Sequence, residues 1–430
     1  MKNIIVTLLI GMAAINILYA TTPKQTFINV KDGKFIRNGK EYNYIGTNFW
    51  YGAILGSTGE GGNRTRLLTE LDSLKKIGID NLRILVGSDG KNGIPTKVEP
   101  TLQIAPGVYN DTIFDGLDYL LAEMSKREMV AVLYINNSWE WSGGYGQYLE
   151  WAGKGKAPIP AIEGYTKYMN FVSQYADCPK AHQLFYNHLK NVIKRTNRYN
   201  KRKYTDDPTI MSWQIGNEPR AFSNEAKEPF ARWIAQASAL IKSIDKNHMV
   251  STGNEGKAGC EEDINLFEKI NADKNVDYIT IHLWPYNWGW VKADSLYAML
   301  PEAKKKTKEY IDLHLEVAAK YNKPMVLEEF GFPRDGFVFD KAASTKARDE
   351  FYRYVFSLIE YKSLNNNLFS GCNFWAWGGM ANQSKDHVNW IKGDDYTGDP
   401  AQEQQGLNSV FLGDTTIPII KGAIKNITKQ

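Results

Sequence analysis

Short apolar runs alternate with longer stretches in which apolar residues recur every three or four positions, and this alternation continues along nearly the whole chain. The short runs, rich in Val, Ile and aromatic residues, predict strands at Tyr44 to Asn48, Asn81 to Val86, Val130 to Ile135, Ile210 to Gly216, Met249 to Thr252, Tyr278 to His282, Pro324 to Glu328 and Gly371 to Trp375. Helical spacing is clearest at Arg64 to Ile77, Ile113 to Lys126, Ala181 to Arg198, Phe230 to Ile244, Lys304 to Tyr321 and Thr345 to Glu360. Strands that alternate with helices pair in parallel, and about eight such units predict an α/β fold, the closed (β/α)8 TIM barrel, with extended βα loops. No Pro-rich or Gly/Ser-rich linker interrupts the pattern, so residues 21–430 read as a single domain. The rival, an open doubly wound sheet, normally carries a glycine-rich phosphate loop. The nearest candidate, Gly56-Ser57-Thr58-Gly59-Glu60-Gly61-Gly62, has neither the GxGxxG spacing nor a GK[ST] ending and reads as a flexible loop.

The first residues follow a different rule. Met1-Lys2-Asn3, an apolar stretch from Ile4 to about Leu18 and Tyr19-Ala20 before a polar segment have the order of a secretory signal, so residues 1–20 are expected to be removed and the protein secreted or periplasmic. The stretch is short of the roughly 20 residues a membrane span needs, and none is expected in the mature chain. Among 430 residues, Lys+Arg 52 against Asp+Glu 48 gives a net charge of +4 with no run of like charge, which argues against a nucleic-acid partner. Cys178, Cys260 and Cys372 are widely spaced without a CxxC pair, which leaves at most one disulfide and no Cys-based zinc module.

Candidate chemistry gathers at the ends of the predicted strands, the face where a barrel builds its site. The fourth strand ends in Trp213-Gln214-Ile215-Gly216-Asn217-Glu218-Pro219-Arg220, and the seventh in Glu328-Glu329 before Phe330-Gly331. Two glutamates at such ends can face one another across the mouth, and hydrolysis of a glycosidic bond needs that pair: one acid to protonate the leaving oxygen, one carboxylate to attack the anomeric carbon. Arg83 closes the second strand in an apolar setting where a guanidinium requires a fixed carboxylate partner. Asn217 can bond a sugar hydroxyl beside the reacting carbon, and His282 shares the strand-end position of the glutamates. Of 12 tryptophans, ten follow predicted strand ends: Trp50, Trp139, Trp141, Trp151, Trp284, Trp288, Trp290, Trp375, Trp377 and Trp390. Flat apolar faces with a polar tip suit a sugar cleft. Asp394, Asp395 and Asp399 do not match an EF-hand loop and read as a solvated loop, and the chemistry requires neither metal nor cofactor.

These residues resemble glycoside hydrolase family 5, and within it the β-mannanases of subfamily 7. The resemblance runs from Gly46-Thr47-Asn48-Phe49-Trp50 to Asp414-Thr415-Thr416-Ile417. Its most specific stretches are Asp206-Asp207-Pro208 leading into Asn217-Glu218-Pro219-Arg220, Ile281-His282, Glu329-Phe330-Gly331, and Gly393 to Pro400 running into Gln405 to Phe411. It implies an endo-β-1,4-mannanase acting on β-mannan or mannooligosaccharides by a retaining double displacement, with Glu218 as acid/base and Glu329 as nucleophile; the chain is separately expected to be a monomer. It also implies that Arg83 holds the nucleophile ionised, Asn217 binds near the 2-hydroxyl, His282 supports Glu218, Trp375 is the sugar platform and Arg220 reaches aglycone sugars. Trp50 and Trp139 are expected at the substrate. Trp284 stands where many members have a Tyr bonded to the nucleophile. Glu328 is expected to point away from Glu329, and the acid role to raise the pKa of Glu218. Exo-acting mannosidase or mannobiohydrolase, β-1,4-glucanase and a non-catalytic sugar-binding barrel are the alternatives, and the path of the loop from Trp139 to Ala181 decides between endo and exo action.

Overall fold

The computed structural model describes residues 26–364 and 368–428, so the proposed signal at 1–20 lies outside the described residues. Eight parallel strands form the barrel: β1 Tyr44–Asn48, β2 Asn81–Leu85, β3 Val130–Tyr134, β4 Ile210–Gln214, β5 Met249–Ser251, β6 Ile279–Leu283, β7 Met325–Phe330 and β8 Phe369–Phe374. Their order is β5-β4-β3-β2-β1-β8-β7-β6, each following strand lying next to its predecessor. Between β5 and β6 no ladder forms; Asp277 N donates to Val250 O at 2.8 Å and His282 N to Glu255 O at 3.0 Å, which bring the two edges together. The principal helices are α1 Arg64–Ile77, α2 Asp111–Lys126, α3 Pro179–Ile193, α4 Lys227–Ile244, α5 Ile264–Asn271, α6 Leu300–Tyr321, α7 Lys346–Leu364 and α8 Thr416–Ile427.

Every residue of all eight strands is buried, because the helices cover one face and barrel-filling side chains the other. The lower end is plugged. A small antiparallel sheet, Asn29–Lys31, Lys34–Arg37 and Lys40–Glu41, lies against it, and Ile28, Phe35 and Tyr42 pack with Tyr44, Val130, Val132, Met211, Met249, Tyr278 and Val326. The other mouth is left for polar groups. The three cysteines are buried thiols, with no disulfide. Asp399 departs from the solvated-loop reading: it is fully buried, and its carboxylate accepts the N–H groups of Gly406 and Asn408, both at 2.9 Å, and of Ser409 at 3.2 Å. No helix among the described residues is long and apolar enough to cross a membrane.

Candidate active site

Glu218 lies just beyond β4. Its backbone is tied to both neighbouring strand ends, Asn217 N donating to Asn136 O at 2.8 Å and Glu218 N to Gly253 O at 2.9 Å. Its φ of +49° is the left-handed region, which costs a non-glycine residue about 1–3 kcal/mol and persists where the surroundings over-determine it. Here Ser138 Oγ, donating to Glu218 O at 2.5 Å, adds a third tie. The carboxylate accepts from Trp139 Nε1 at 2.6 Å and from His282 Nδ1 at 2.8 Å.

Glu329 reaches the same place by an irregularity. The β6–β7 ladder pairs Ile281 with Leu327 and His282 with Glu329, which makes Glu328 the extra residue of a β-bulge. Strict alternation would put the two glutamates on opposite faces. With the bulge, both turn inward, which corrects the expectation for Glu328: its carboxyl accepts from Gln214 Nε2 at 2.5 Å and Tyr278 OH at 3.2 Å. Burial pushes its pKa up.

Arg83, fully buried, joins these parts. One guanidinium nitrogen pairs with Glu329 and donates to Asn48 Oδ1 at 3.0 Å; the others donate to Asn217 Oδ1 at 2.9 Å and Gln214 Oε1 at 2.8 Å. The Tyr134 ring lies under it, 4.5 Å from Cζ. One oxygen of Glu218, one of Glu329 and a ring nitrogen of His282 fall within 4.8 Å of one another. Metals take such donors, but the Arg83 guanidinium already pairs with Glu329 and His282 already bonds Glu218. The arrangement instead moves a proton. Burial lowers the His282 pKa, but the charge of Glu329 and the hydrogen bond to Glu218 outweigh it and lift the value to about 9. Burial likewise raises Glu218, but the hydrogen bond and charge of His282 prevail, so its pKa is lowered. That reverses the expected direction and leaves the proton on the Glu218–His282 pair as a unit.

A cleft of about 750 Å³ opens over these groups. Asn217, Glu218, Glu329, Trp139, Trp284, Trp375 and Arg220 line it, as the sequence predicts. Arg83 and His282 do not: each is fully buried and contacts a carboxylate of the site. Trp50 is also excluded from the lining. Trp141 and Tyr396 pack edge-on against it at 5.8 and 4.8 Å, and its Nε1 donates inward to Gly398 O at 2.6 Å. Six of the ten strand-end tryptophans line the cleft: Trp139, Trp141, Trp284, Trp288, Trp290 and Trp375. Trp284 packs edge-on against Trp375 at 6.0 Å, while the groups facing the Glu329 carboxylate are Arg83 and, at 3.3 Å, His282 Nδ1.

Sequence reasoning missed Glu255, Gln402 and Glu403, which also line the cleft. Glu255 has a legible signal: Gly253-Asn254-Glu255 after β5 repeats the Gly216-Asn217-Glu218 that follows β4. It ion-pairs with Arg220 at 2.8 Å, and burial raises its pKa to about 7. Glu403 sits in the polar stretch Gln402-Glu403-Gln404-Gln405, which gives no such signal.

Residues 25–430 match the model of the GH family 5 β-mannosidase-like family. Among solved structures, a glycoside hydrolase family 5 mannosidase from Rhizomucor miehei is similar at 35% identity and a TM-score of 0.86, over 94% of this chain and 98% of that one. A mutant form of a family 5 mannosidase from the same organism, solved in complex with mannosyl-fructose, gives the same TM-score over 94% and 97%. Among curated relatives, mannan endo-1,4-β-mannosidase 1 of Solanum lycopersicum is 30% identical over 71% of this chain and 74% of its own. Mannan endo-1,4-β-mannosidase 7 of Arabidopsis thaliana is 27% identical over 82% and 78%.

Proposed function

The chain belongs to glycoside hydrolase family 5, in its β-mannosidase-like group, and from that premise we propose that it hydrolyses β-1,4-mannosidic bonds in mannans as an endo-mannanase with retention of configuration. The observation that carries the reading is the meeting of Glu218, His282 and Glu329 within 4.8 Å, over the Arg83 guanidinium. Retaining enzymes hold their carboxyl groups about 5–5.5 Å apart, whereas inverting enzymes need about 6.5–9.5 Å to admit a water. In the first step Glu329, paired with Arg83, attacks the anomeric carbon while Glu218 gives its proton to the departing glycosidic oxygen. In the second, Glu218 takes a proton from water, which displaces Glu329. Asn217, its Oδ1 fixed by Arg83, offers its amide to the 2-hydroxyl.

A second reading, exo action, is favoured by one observation. Among the described residues, nothing from the loops after β1 and β2 lines the cleft, and Trp141 covers Trp50 and packs against Trp375 at 6.3 Å, which walls that end. Product analysis on mannohexaose and cellohexaose side by side separates the readings. A spread of short mannooligosaccharides supports endo action, and release of mannose or mannobiose alone supports exo action. Cleavage of cellohexaose with mannohexaose intact would sink the substrate assignment and leave the two-glutamate mechanism standing.

A further inference from the structure

Trp151 follows β3 as Trp139 and Trp141 do, but the cleft does not reach it. It lines a second groove, of about 690 Å³, built by the loops that follow β2 and β3. A thin wall separates the two spaces. Glu140 lines both, and Tyr168 on the groove side stacks on Trp139 on the cleft side, with centroids 6.4 Å apart and planes at 22°. Neither Glu218 nor Glu329 lines the groove, so an occupant lies beside the reacting groups and out of their reach.

The groove is shaped before anything binds. Trp151, half-buried, rests edge-on against Tyr148 at 5.3 Å, and Tyr148 OH accepts from Gln103 Nε2 at 3.0 Å. Glu150 fastens the loop beyond the tryptophan, its carboxylate accepting from Ala157 N at 2.7 Å and from Gln147 Nε2 at 3.0 Å. Tyr168 OH donates to Ser138 O at 2.8 Å, which fixes the ring that backs Trp139. Side chains held in this way lose little entropy when a ligand settles on them.

The lining selects the class of ligand. Ile94, Pro158 and Ile159 join Trp151 in apolar surface, and three lysines (Lys91, Lys97 and Lys156) against Glu140 and Glu150 leave the groove close to neutral. A polyanion or a basic peptide gains little from so balanced a lining. A pyranose chain matches it, with C–H faces for the indole and aliphatic groups and hydroxyl edges for ammonium and amide groups. Both carboxylates are engaged, Glu150 as described and Glu140 by Tyr165 OH at 3.1 Å, so the groove presents no free acid pair for hydrolysis. Its wall is shared with the cleft, and the chain at hand there is the polymer being cut. We propose that the groove is a second sugar-binding site, which holds a β-mannan chain beside the cleft without cutting it. The proposal rests on the mannanase reading above for the identity of its ligand. Two sites that hold one polymer raise its affinity beyond that of either alone, because the second contact is intramolecular, whereas an oligosaccharide too short to span them gains nothing.

The test measures depletion of the protein from solution by insoluble β-1,4-mannan, with cellulose in parallel, in a Glu329→Ala background that leaves the polymer intact. Two substitutions in the groove are compared, Trp151→Ala and Ile104→Asp. Ile104 lines the groove and is 43% exposed, so its replacement keeps the test decisive if loss of Trp151 disturbs folding. Each is expected to weaken binding to mannan about tenfold, while kcat/KM on mannotetraose, measured with Glu329 restored, stays within about twofold of the wild type. A parent that remains in solution, or variants that bind mannan as the parent does, would overturn the proposal. So would an equal loss on mannotetraose in both variants, which a damaged cleft gives. Cellulose held as tightly as mannan, and released by the same substitutions, would overturn the assignment of the ligand. A wild type that leaves mannotetraose intact fails the hydrolase reading, and does so independently of what the groove binds.

Discussion

The Nδ1 of His282 lies 2.8 Å from Oε1 of Glu218, close enough for one proton to serve both residues. The imidazole is fully buried at the end of β6, and the same nitrogen is 3.3 Å from Glu329. Two carboxylates against one imidazole favour its charged form, so the pair retains its proton to a pH at which an isolated carboxyl or imidazole has lost it. A proton for the leaving group is thus in place without a raised pKa on Glu218.

This arrangement predicts the alkaline limb of the pH–rate profile. The His282 pKa is raised to about 9, so the proton is present below that pH and lost as the pH rises through it. Activity is expected to decline near pH 9. In His282→Asn the imidazole no longer shares the proton, and Glu218 is left with burial raising its pKa against the charge of Arg220 and the hydrogen bond from Trp139, which lower it. The alkaline limb of kcat/KM should then move to lower pH. A limb unmoved in the variant would remove His282 from the acid function.

The two glutamates should fail differently. Glu329→Ala deprives both steps of the nucleophile and is expected to cost about 10³-fold or more in turnover on any mannoside. Glu218→Ala should cost about as much on mannooligosaccharides, whose leaving group needs a proton, but far less in the first step with a 2,4-dinitrophenyl leaving group, which departs unaided. Near-native turnover of Glu329→Ala would show that another group attacks. Proton NMR of fresh product, showing the β-anomer first, checks retention.

The barrel is legible in the sequence because each strand is a short apolar run and each intervening helix keeps its period. Glu218 and Glu329 are legible because an acid at the end of such a run faces the barrel mouth. Contacts between loops are not encoded in spacing, which is why Trp50, correctly placed at a strand end, proves to be covered by Trp141 from the β3 loop. The inward turn of Glu328 depends on a bulge in pairing with β6, visible only when both strands are in place. Glu403 is carried by a turn whose shape is set by the buried Asp399, a residue the sequence reads as solvated.

Arg83 should dominate the stability of this end of the barrel. It is fully buried, ion-paired with Glu329 and bonded to Asn48, Gln214 and Asn217. Arg83→Met leaves a buried carboxylate without its cation, a loss of about 3–5 kcal/mol. Arg83→Lys should recover little, because an ammonium cannot reproduce the planar fork that reaches all four partners. Denaturant unfolding of both variants checks this, and a lysine variant as stable as the wild type would show that charge alone suffices.

Gly331 offers a test of how the cleft wall is held apart from its chemistry. It follows Phe330 at the end of β7, and a Cβ there would stand 2.8 Å from Trp284 Cζ3 and 3.0 Å from Asn408 Oδ1. Trp284 packs against Trp375, and the rigid indole cannot yield by rotating a flexible tip. Gly331→Ala should therefore displace Trp284 into the cleft at a cost of about 1–3 kcal/mol, the range for overpacking. If only the wall moves, KM should rise more than kcat falls, and the alkaline limb should stay near pH 9. A proportional fall in kcat with KM unchanged would mean that the glycine positions the nucleophile instead of the wall.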